Sequence, residues 1–263
     1  MTLSSAARDP IPVAAPPLVA AWIAAAPDGP VRVLHACRDT VHLEVLGRAV
    51  GVTAAGAPGL PHAVRTGLTA PLSAWSSGGS SGEVPTAYVD SGILHLDGRA
   101  LVTARLVDVR APRLDAARMP KASPAAAQGT PRPRGAGLVA LPEHVDPVVV
   151  AALVGRGDGL TPLGDDVLCG WLAAHRSAGV ETPAVDDAVR RALPRTTTLS
   201  ATLLECALAG EVADLAGDYL RTLATPSAAV ARAALVRLGH SSGAGLAHGI
   251  DLAVDALVRE VAA

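Results

Sequence analysis

The sequence contains few aromatic residues and almost no lysine. Its 263 residues include three Trp, two Tyr and no Phe, although half of them are apolar. A core built mainly from Ala, Val and Leu favours close packing of helices. Lys121 is the only lysine, so neither a Schiff-base lysine nor the lysine of a phosphate-binding loop is expected. Anion binding would therefore depend on arginine or on backbone amides.

Charge runs, paired cysteines and long apolar segments are also missing. The 22 basic and 24 acidic residues nearly balance, which argues against nucleic acid as a partner. Cys37, Cys169 and Cys206 are isolated in the sequence, as is typical of reduced cysteines in the cytoplasm. No apolar run approaches the roughly 20 residues of a membrane span, and no signal peptide is recognised. We expect a cytoplasmic protein that has no membrane partner.

The periodicity of apolar residues predicts an α+β protein with two domains. Residues 31–112 alternate in the manner of strands, which predicts a β-rich, barrel-like domain. Before it, 1–30 is expected to be an N-terminal extension, disordered over its first sixteen residues and ending in a short helix. Residues 113–140 are rich in Pro, Ala and Gly and are interpreted as a linker or loop. Helical periodicity then predicts an α-helical domain over 141–263.

The most distinctive segment, residues 155–166, opens the second helix of that domain. Its glycines, which include Gly157 and Gly159, allow positive φ angles and a close approach of a ligand to the backbone. Thr161 and Pro162 predict an N-cap and the first residue of a helix. The segment therefore predicts a loop whose amides, including that of Leu160, face an anion at a helix N-terminus.

Two adjacent acids, Asp165 and Asp166, follow in the first turns of this predicted helix. Neighbouring residues of a helix point about 100° apart, with Asp165 at the border of the apolar face and Asp166 off it, so we expect the two carboxylates to have different roles. One could bind Mg²⁺, while the other accepts hydrogen bonds from a second motif. The alternative is that both acids only stabilise the helix dipole.

Two later helix starts have a similar small and polar composition. They lie at 196–200, which ends in Ser200, and at 239–243, which includes His240, Ser241 and Ser242. If these starts converge with the glycine-rich loop, their hydroxyls and amides would form an anion pocket. The alternative is that each supplies an ordinary N-cap worth about 1 kcal/mol.

Several other kinds of site are not expected. Residues 239–243 match the G-x-S-x-G pattern of serine hydrolases, but that pattern must follow a strand and here follows a predicted helix. The histidines lack zinc-ligand spacing. The glycine-rich run follows a helical pattern rather than a strand, which argues against nicotinamide and flavin cofactors.

Three segments, in this order and with this spacing, resemble the signature of the family of AllH proteins, a bacterial domain of unknown function. They are Gly157-x-Gly159-Leu160-Thr161-Pro162-x-Gly164-Asp165-Asp166-x-Leu168-x-Gly170, Thr198-x-Ser200-Ala201-x-Leu203-Leu204-x-x-Ala207-x-x-Gly210, and Gly239-His240-Ser241-Ser242-Gly243. The resemblance implies carbamoyl transfer, in which oxalurate and phosphate give oxamate and carbamoyl phosphate with the help of partner subunits. Leu163 stands where the family usually has Ser, and Gly245 where it often has Asp.

Applied to this sequence, the resemblance implies roles for individual residues. The amides from Gly157 to Thr161 and the hydroxyls of Ser200, Ser241 and Ser242 would bind the substrate. Asp165 and Asp166 would orient these donors or bind Mg²⁺, and His240 would carry a proton. Such a site would stabilise small anions without a covalent nucleophile.

We therefore expect an enzyme, or an enzyme subunit, that acts on a small carboxylate or carbamoyl anion such as oxalurate or carbamoyl phosphate. The first alternative is a noncatalytic subunit that binds a small anion or acts as a scaffold within a larger enzyme complex. A second alternative is a nucleotide-dependent phosphoryl transferase whose Gly-Asp-Asp sequence binds Mg²⁺. Thermal stabilisation by nucleotide and Mg²⁺ would separate this last alternative from the others.

Overall fold

The computed structural model describes residues 9–69, 85–114 and 142–262, with side chains as far as 259. The chain forms two compact units, Met1–Asp108 and Val109–Ala263. The first is a β-rich unit and the second is helical, so the predicted α+β class is confirmed. The predicted linker at 113–140 lies almost entirely outside the described residues.

Within the part of the chain that the structure describes, no helix is both long enough and apolar enough to cross a membrane.

Over residues 9–69 and 85–108, the β-rich unit contains one helix, α1 (Pro17–Ala25), and a single barrel-like sheet of nine strands. The strands are β1 (Ile11–Ala15), β2 (Gly29–Pro30), β3 (Arg32–Ala36), β4 (Thr40–Val45), β5 (Arg48–Thr53), β6 (Ala63–Thr66), β7 (Ala87–Asp90), β8 (Ile93–Leu96) and β9 (Arg99–Leu106).

The order of the strands explains why the sheet curls. It runs β2-β7-β8-β9-β1-β6-β5-β4-β3, so β2 and β3 are its two edges. These edge strands are separated in the sequence by Val31 alone. Because one residue spans only about 3.3 Å, the two edges must come together and the sheet nearly closes. Alternating residues then fill its interior, where Leu43, Val50 and Leu94 are fully buried.

The prediction of disorder at the N-terminus is wrong for β1. This strand lies inside the sheet, parallel to β9 and antiparallel to β6, and it buries Ile11, Val13 and Ala15. Pro12 has no amide hydrogen to donate, but it pairs only with β9, because the pairing with β6 begins at Val13. The proline is therefore accommodated where the strand has a single neighbour.

The helical unit contains seven described α-helices and one short 3₁₀ helix, Leu193–Arg195. The α-helices are α2 (Pro147–Leu153), α3 (Leu163–Ala178), α4 (Pro183–Ala192), α5 (Thr198–Leu208), α6 (Asp214–Thr222), α7 (Ala228–Val236) and α8 (Ser242–Ala262).

Helix α3 lies at the centre of this unit and is buried on every side. It packs most extensively against α8, and it also contacts α2, α5 and α6. Glycines make the close approach possible. A Cβ at Gly170 would overlap the carbonyl oxygen of Leu246 on α8, and one at Gly249 would overlap the carbonyl oxygen of Val167 on α3. The small-residue core expected from the composition is thus concentrated where these two helices cross.

Candidate functional site

Helix α3 begins at Leu163, one residue later than the predicted first helical residue, Pro162. Its N-cap is Pro162, which has no side chain able to cap the helix. The amides of Asp165 and Asp166 instead donate hydrogen bonds to the Pro162 carbonyl oxygen, at 3.0 and 3.2 Å. The hydroxyl of Thr161 does not cap α3, because it is bonded to a different helix.

The loop before α3 requires its glycines. Gly155, Gly157 and Gly159 have φ angles of 76°, 120° and 89°. A Cβ at Gly155 would lie 2.6 Å from the Arg195 carbonyl oxygen, and one at Gly157 would lie 2.6 Å from the Leu163 amide nitrogen. Both the backbone conformation and the close packing therefore exclude larger residues here.

The Asp165 carboxylate, which is fully buried, joins three segments of the helical unit. Its Oδ1 accepts a hydrogen bond from the Gly155 amide at 2.9 Å. Its Oδ2 accepts hydrogen bonds from Thr196 Oγ1 at 2.5 Å and from Ser200 Oγ at 2.7 Å. Asp165 thus accepts hydrogen bonds from the second motif, which was one of the two roles considered for the adjacent acids.

The Asp166 carboxyl has a different environment. Burial raises its pKa well above the usual range, and the charge of nearby Asp165 adds to this effect, while hydrogen bonds with Ser242 and Thr161 oppose it. Among the described residues, no group forms a hydrogen bond with its Oδ2. A buried carboxyl with a raised pKa keeps its proton to higher pH, so Asp166 is a candidate hydrogen-bond donor and general acid.

The three polar helix starts meet at the glycine-rich loop. Thr197 Oγ1, at the start of α5, donates to the Leu160 carbonyl oxygen at 2.6 Å. Thr161 Oγ1 lies 2.6 Å from Ser242 Oγ at the start of α8. The convergence that would allow a shared pocket is therefore present in the folded chain.

The same loop leaves several backbone donors available. Gly155 N bonds to Asp165, and Arg156 N bonds to the Leu153 carbonyl oxygen. Within the described residues, no protein acceptor is bonded to the five amides from Gly157 to Thr161. These are the amides that the sequence analysis proposed as donors to an anion.

The remaining predicted residues, His240 and Ser241, lie in the turn before α8. His240 is exposed in the turn before α8, and Ser241 is half-buried beside it. Ser242 is the serine of this motif that contacts the loop, through Thr161. His240 and Ser241 directly precede Ser242 in the sequence. Within the described part of the chain, neither the His240 imidazole nor the Ser241 hydroxyl makes a hydrogen bond.

Both adjacent acids are buried, although Asp166 was expected to lie off the apolar face of the helix. Asp165 was expected at the border of an apolar face and Asp166 off it, yet their exposed fractions are 0% and 3%. The reason is that helices pack around α3 on every side, so it has no solvent-facing side on which Asp166 could lie.

A magnesium ion at the adjacent acids fits this donor set poorly. Both oxygens of Asp165 already accept hydrogen bonds, and the raised pKa of Asp166 favours its protonated form. The described residues also contain no group of three or more His, Cys, Asp or Glu placed to hold a metal ion. We therefore assign no chemical step to a metal.

Thr196 and Thr197 were not predicted to be site residues, although the threonine run was predicted to start a helix. Thr196 binds Asp165, and Thr197 both caps α5 through the Ser200 amide and holds the loop at Leu160. The signal that could have identified them is the run of three threonines, because a single cap needs only one hydroxyl.

The two departures from the AllH pattern lie in contact with each other. A Cβ at Gly245 would be 2.9 Å from Leu163 Cδ1 and 2.7 Å from Asp166 Cβ. A larger residue at Gly245 therefore does not fit beside Leu163 in this backbone. Leu163 and Gly245 place an apolar, closely packed surface against Asp166, which contributes to the burial of its carboxyl.

Comparison with known protein families gives a match within the helical unit. Residues 153–254 match a protein family described as oxamate carbamoyltransferase subunit AllH. No curated protein and no solved structure matches the chain. The matched segment begins at the end of α2 and contains the glycine-rich loop, both acids and the two later polar helix starts. The helical unit of this chain therefore carries an AllH-like segment, which confirms the resemblance predicted from its three motifs.

Proposed function

We propose that the helical unit forms the small-anion site of an AllH-like enzyme subunit, and that its reaction is carbamoyl transfer to or from a small carboxylate. The observation that carries this proposal is the set of five amides from Gly157 to Thr161, next to the cluster formed by Thr161, Ser242 and Asp166. Backbone amides fixed in this way can stabilise negative charge that develops on an oxygen during the reaction.

Each part of the cluster has a distinct task in this proposal. The loop amides bind the carboxylate or phosphate oxygens of an oxalurate-like or carbamoyl-phosphate-like substrate. The protonated Asp166 carboxyl donates a hydrogen bond to the substrate and acts as the general acid, which transfers its proton to the substrate. Asp165 is a positioning residue, because it holds the loop and the start of α5 in place. Ser200 then acts through Asp165, whereas Ser241, Ser242 and His240 line the side formed by α8.

Binding of small anions by the purified full chain tests this site. We expect calorimetry to detect binding of oxamate, carbamoyl phosphate or phosphate, and we expect Ser242→Ala combined with Thr161→Val to weaken it about tenfold. Asp187→Asn is a suitable control, because the Asp187 side chain is 61% exposed on another helix. Unchanged affinity in the double variant would contradict the proposal.

The main alternative is a noncatalytic subunit that binds the anion for a partner. The description of the matched family as a subunit supports this alternative. Turnover by the chain alone would exclude it, whereas binding without turnover until a partner subunit is added would favour it. If the chain itself is catalytic, Asp166→Asn should lower turnover more than it lowers stability, since Asn keeps the shape of the side chain but has no ionisable proton.

A further inference from the structure

The surface of the β-rich unit has an open cavity of about 390 Å³ that the proposed function does not use. A volume of this size lies in the range of small-molecule sites. Loop residues 54–57 form part of its lining, and the rest comes from β1, β9 and the end of β6 with the following Gly67. Two of the lining residues, Arg65 and Arg105, are basic, and none of the described lining residues is acidic.

The register of the sheet places these arginines on either side of one small residue. Ala14 of β1 pairs with Arg65 on β6 and with Arg105 on β9. Directly paired residues point to the same face of a sheet, and two strand spacings separate the arginines by about 10 Å. Since Ala14 has only a methyl group, the space above it stays open between the two longer side chains.

An irregularity in β9 is responsible for the position of Arg105. Val13 pairs with Thr103, but the next residue of β1, Ala14, pairs with Arg105 and not with Ala104. With regular pairing, Ala104 would occupy this place and Arg105 would point to the opposite face. Such bulges commonly redirect a side chain near a binding site.

The glycines of the cavity keep it open. A Cβ at Gly56 or at Gly67 would meet no atom within 4 Å. The φ angle of Gly67 is not positive, so a larger residue could be introduced there without backbone strain. The cavity can therefore be filled experimentally while both arginines are kept.

We propose that this cavity is a second anion site, in which Arg65 and Arg105 bind one small oxyanion, a carboxylate or a phosphate, above Ala14. Guanidinium groups bind both kinds of oxyanion through paired, charge-assisted hydrogen bonds. The site belongs to the β-rich unit and does not depend on the proposed function of the helical unit.

The test is a calorimetric titration of the full chain with inorganic phosphate and, separately, with oxalate. The ligand that binds identifies whether the site takes a phosphate or a dicarboxylate. We expect Arg105→Gln and Arg65→Gln each to weaken binding about tenfold. Arg105→Lys should bind more tightly than Arg105→Gln but less tightly than wild type, since lysine cannot form the paired hydrogen bonds. Arg38→Gln is the matched control, because Arg38 is an exposed arginine of the same unit that does not line the cavity.

Two further variants make the outcome decisive. Gly67→Leu should block binding by filling the cavity, although both arginines remain. Thr161→Val combined with Ser242→Ala should weaken phosphate binding only at the helical unit, so the binding that depends on Arg65 and Arg105 should remain in that variant. Absence of saturable binding of either anion by the wild type, an equal loss in Arg38→Gln, or a loss only in the helical-unit variant would overturn the proposal.

Discussion

The two units of this protein differ in whether they bury carboxyl groups. Among the described residues of the helical unit, four carboxyl groups are buried, those of Asp165, Asp166, Glu211 and Asp251, together with the imidazoles of His175 and His248. In the β-rich unit, no carboxyl group is buried among the described residues, and the buried titratable groups are the imidazoles of His42 and His62. A unit that buries acids must supply donors for them, and those donors are what give the helical unit its candidate site.

Asp251, another buried acid of the helical unit, is also supplied with hydrogen-bond donors. Asp251 of α8 accepts a hydrogen bond from the Tyr219 hydroxyl and pairs with Arg232 at 2.9 Å. Burial raises the pKa of Asp251, and the Arg232 charge opposes that shift. This cluster connects α6, α7 and α8, whereas the Asp165 cluster connects α3 to the loop and α5.

The largest expected effect is a loss of stability in the helical unit, caused by a larger residue where α3 crosses α8. In Gly249→Val the new side chain would overlap the Val167 carbonyl oxygen and approach the Trp171 amide, which cannot move without shifting α3. We expect a loss of at least about 3 kcal/mol in unfolding free energy, the upper part of the range for overpacked cores. Urea denaturation followed by circular dichroism measures it. Gly67→Ala in the β-rich unit, where a Cβ meets no atom, should stay close to wild type.

The next effect is a loss of stability at acid pH that originates in the β-rich unit. Burial and the neighbouring imidazoles lower the pKa of His42 to about 4 and that of His62 to about 3. The unfolded chain therefore binds more protons than the folded chain below pH 6.5, and stability falls as the pH falls from 6.5 towards 4. We expect each of the two imidazoles to contribute a loss of about 3 kcal/mol over this interval.

His62→Leu should remove much of this acid sensitivity, and His95→Gln, on another strand of the same sheet, provides the control. Urea denaturation at pH 7, 5.5 and 4 is the measurement. If the wild type and His62→Leu lose stability in parallel, the buried imidazoles do not cause the loss.

A smaller effect is expected from the hydrogen bonds of Asp165. In Asp165→Asn the side chain keeps its shape, but its amide group cannot accept hydrogen bonds from Gly155, Thr196 and Ser200 together. We expect a loss of about 2 kcal/mol in unfolding free energy. Asp187→Asn, with an exposed side chain, should change it by less than about 0.5 kcal/mol. Equal stabilities of the two variants would contradict the proposal that Asp165 positions the loop and the start of α5.

The last effect concerns Asp166 and has the opposite dependence on pH. Its pKa is raised in the folded state, so the folded chain binds more protons than the unfolded chain above pH 3.8, and stability falls as the pH rises through this window. Asp166→Asn removes the titrating group. We expect the variant to gain stability relative to wild type as the pH rises from 4 to 8. A constant difference between the two proteins across this range would contradict the raised pKa.

The sequence predicted the elements with local patterns better than those that depend on distant partners. Alternation located β4 and β5, and the glycine and threonine runs located the loop and the starts of α3, α5 and α8. Strand β1 was missed because its partner β9 lies some ninety residues later and its proline resembles an irregular segment. A local pattern contains no information about which distant strand will cover it.

The candidate site was predicted in the same uneven way. The convergence of the polar starts could be inferred from their shared composition, and the different hydrogen bonding of Asp165 from its place on the helix. The burial of Asp166 could not be inferred, because it depends on α8 and on the contact between Leu163 and Gly245. Arg65 and Arg105 carried no signal, since their pairing across β1 depends on the register of three strands.

The extra residue in β9 also affects which changes of length the strand can tolerate. Loss of a residue from the middle of a regularly paired strand turns every following side chain to the other face. Loss of Ala104 would only restore regular pairing and leave Arg105 opposite Ala14. Ala104 is thus a position at which homologous chains can differ by a one-residue deletion while the rest of the strand keeps its orientation.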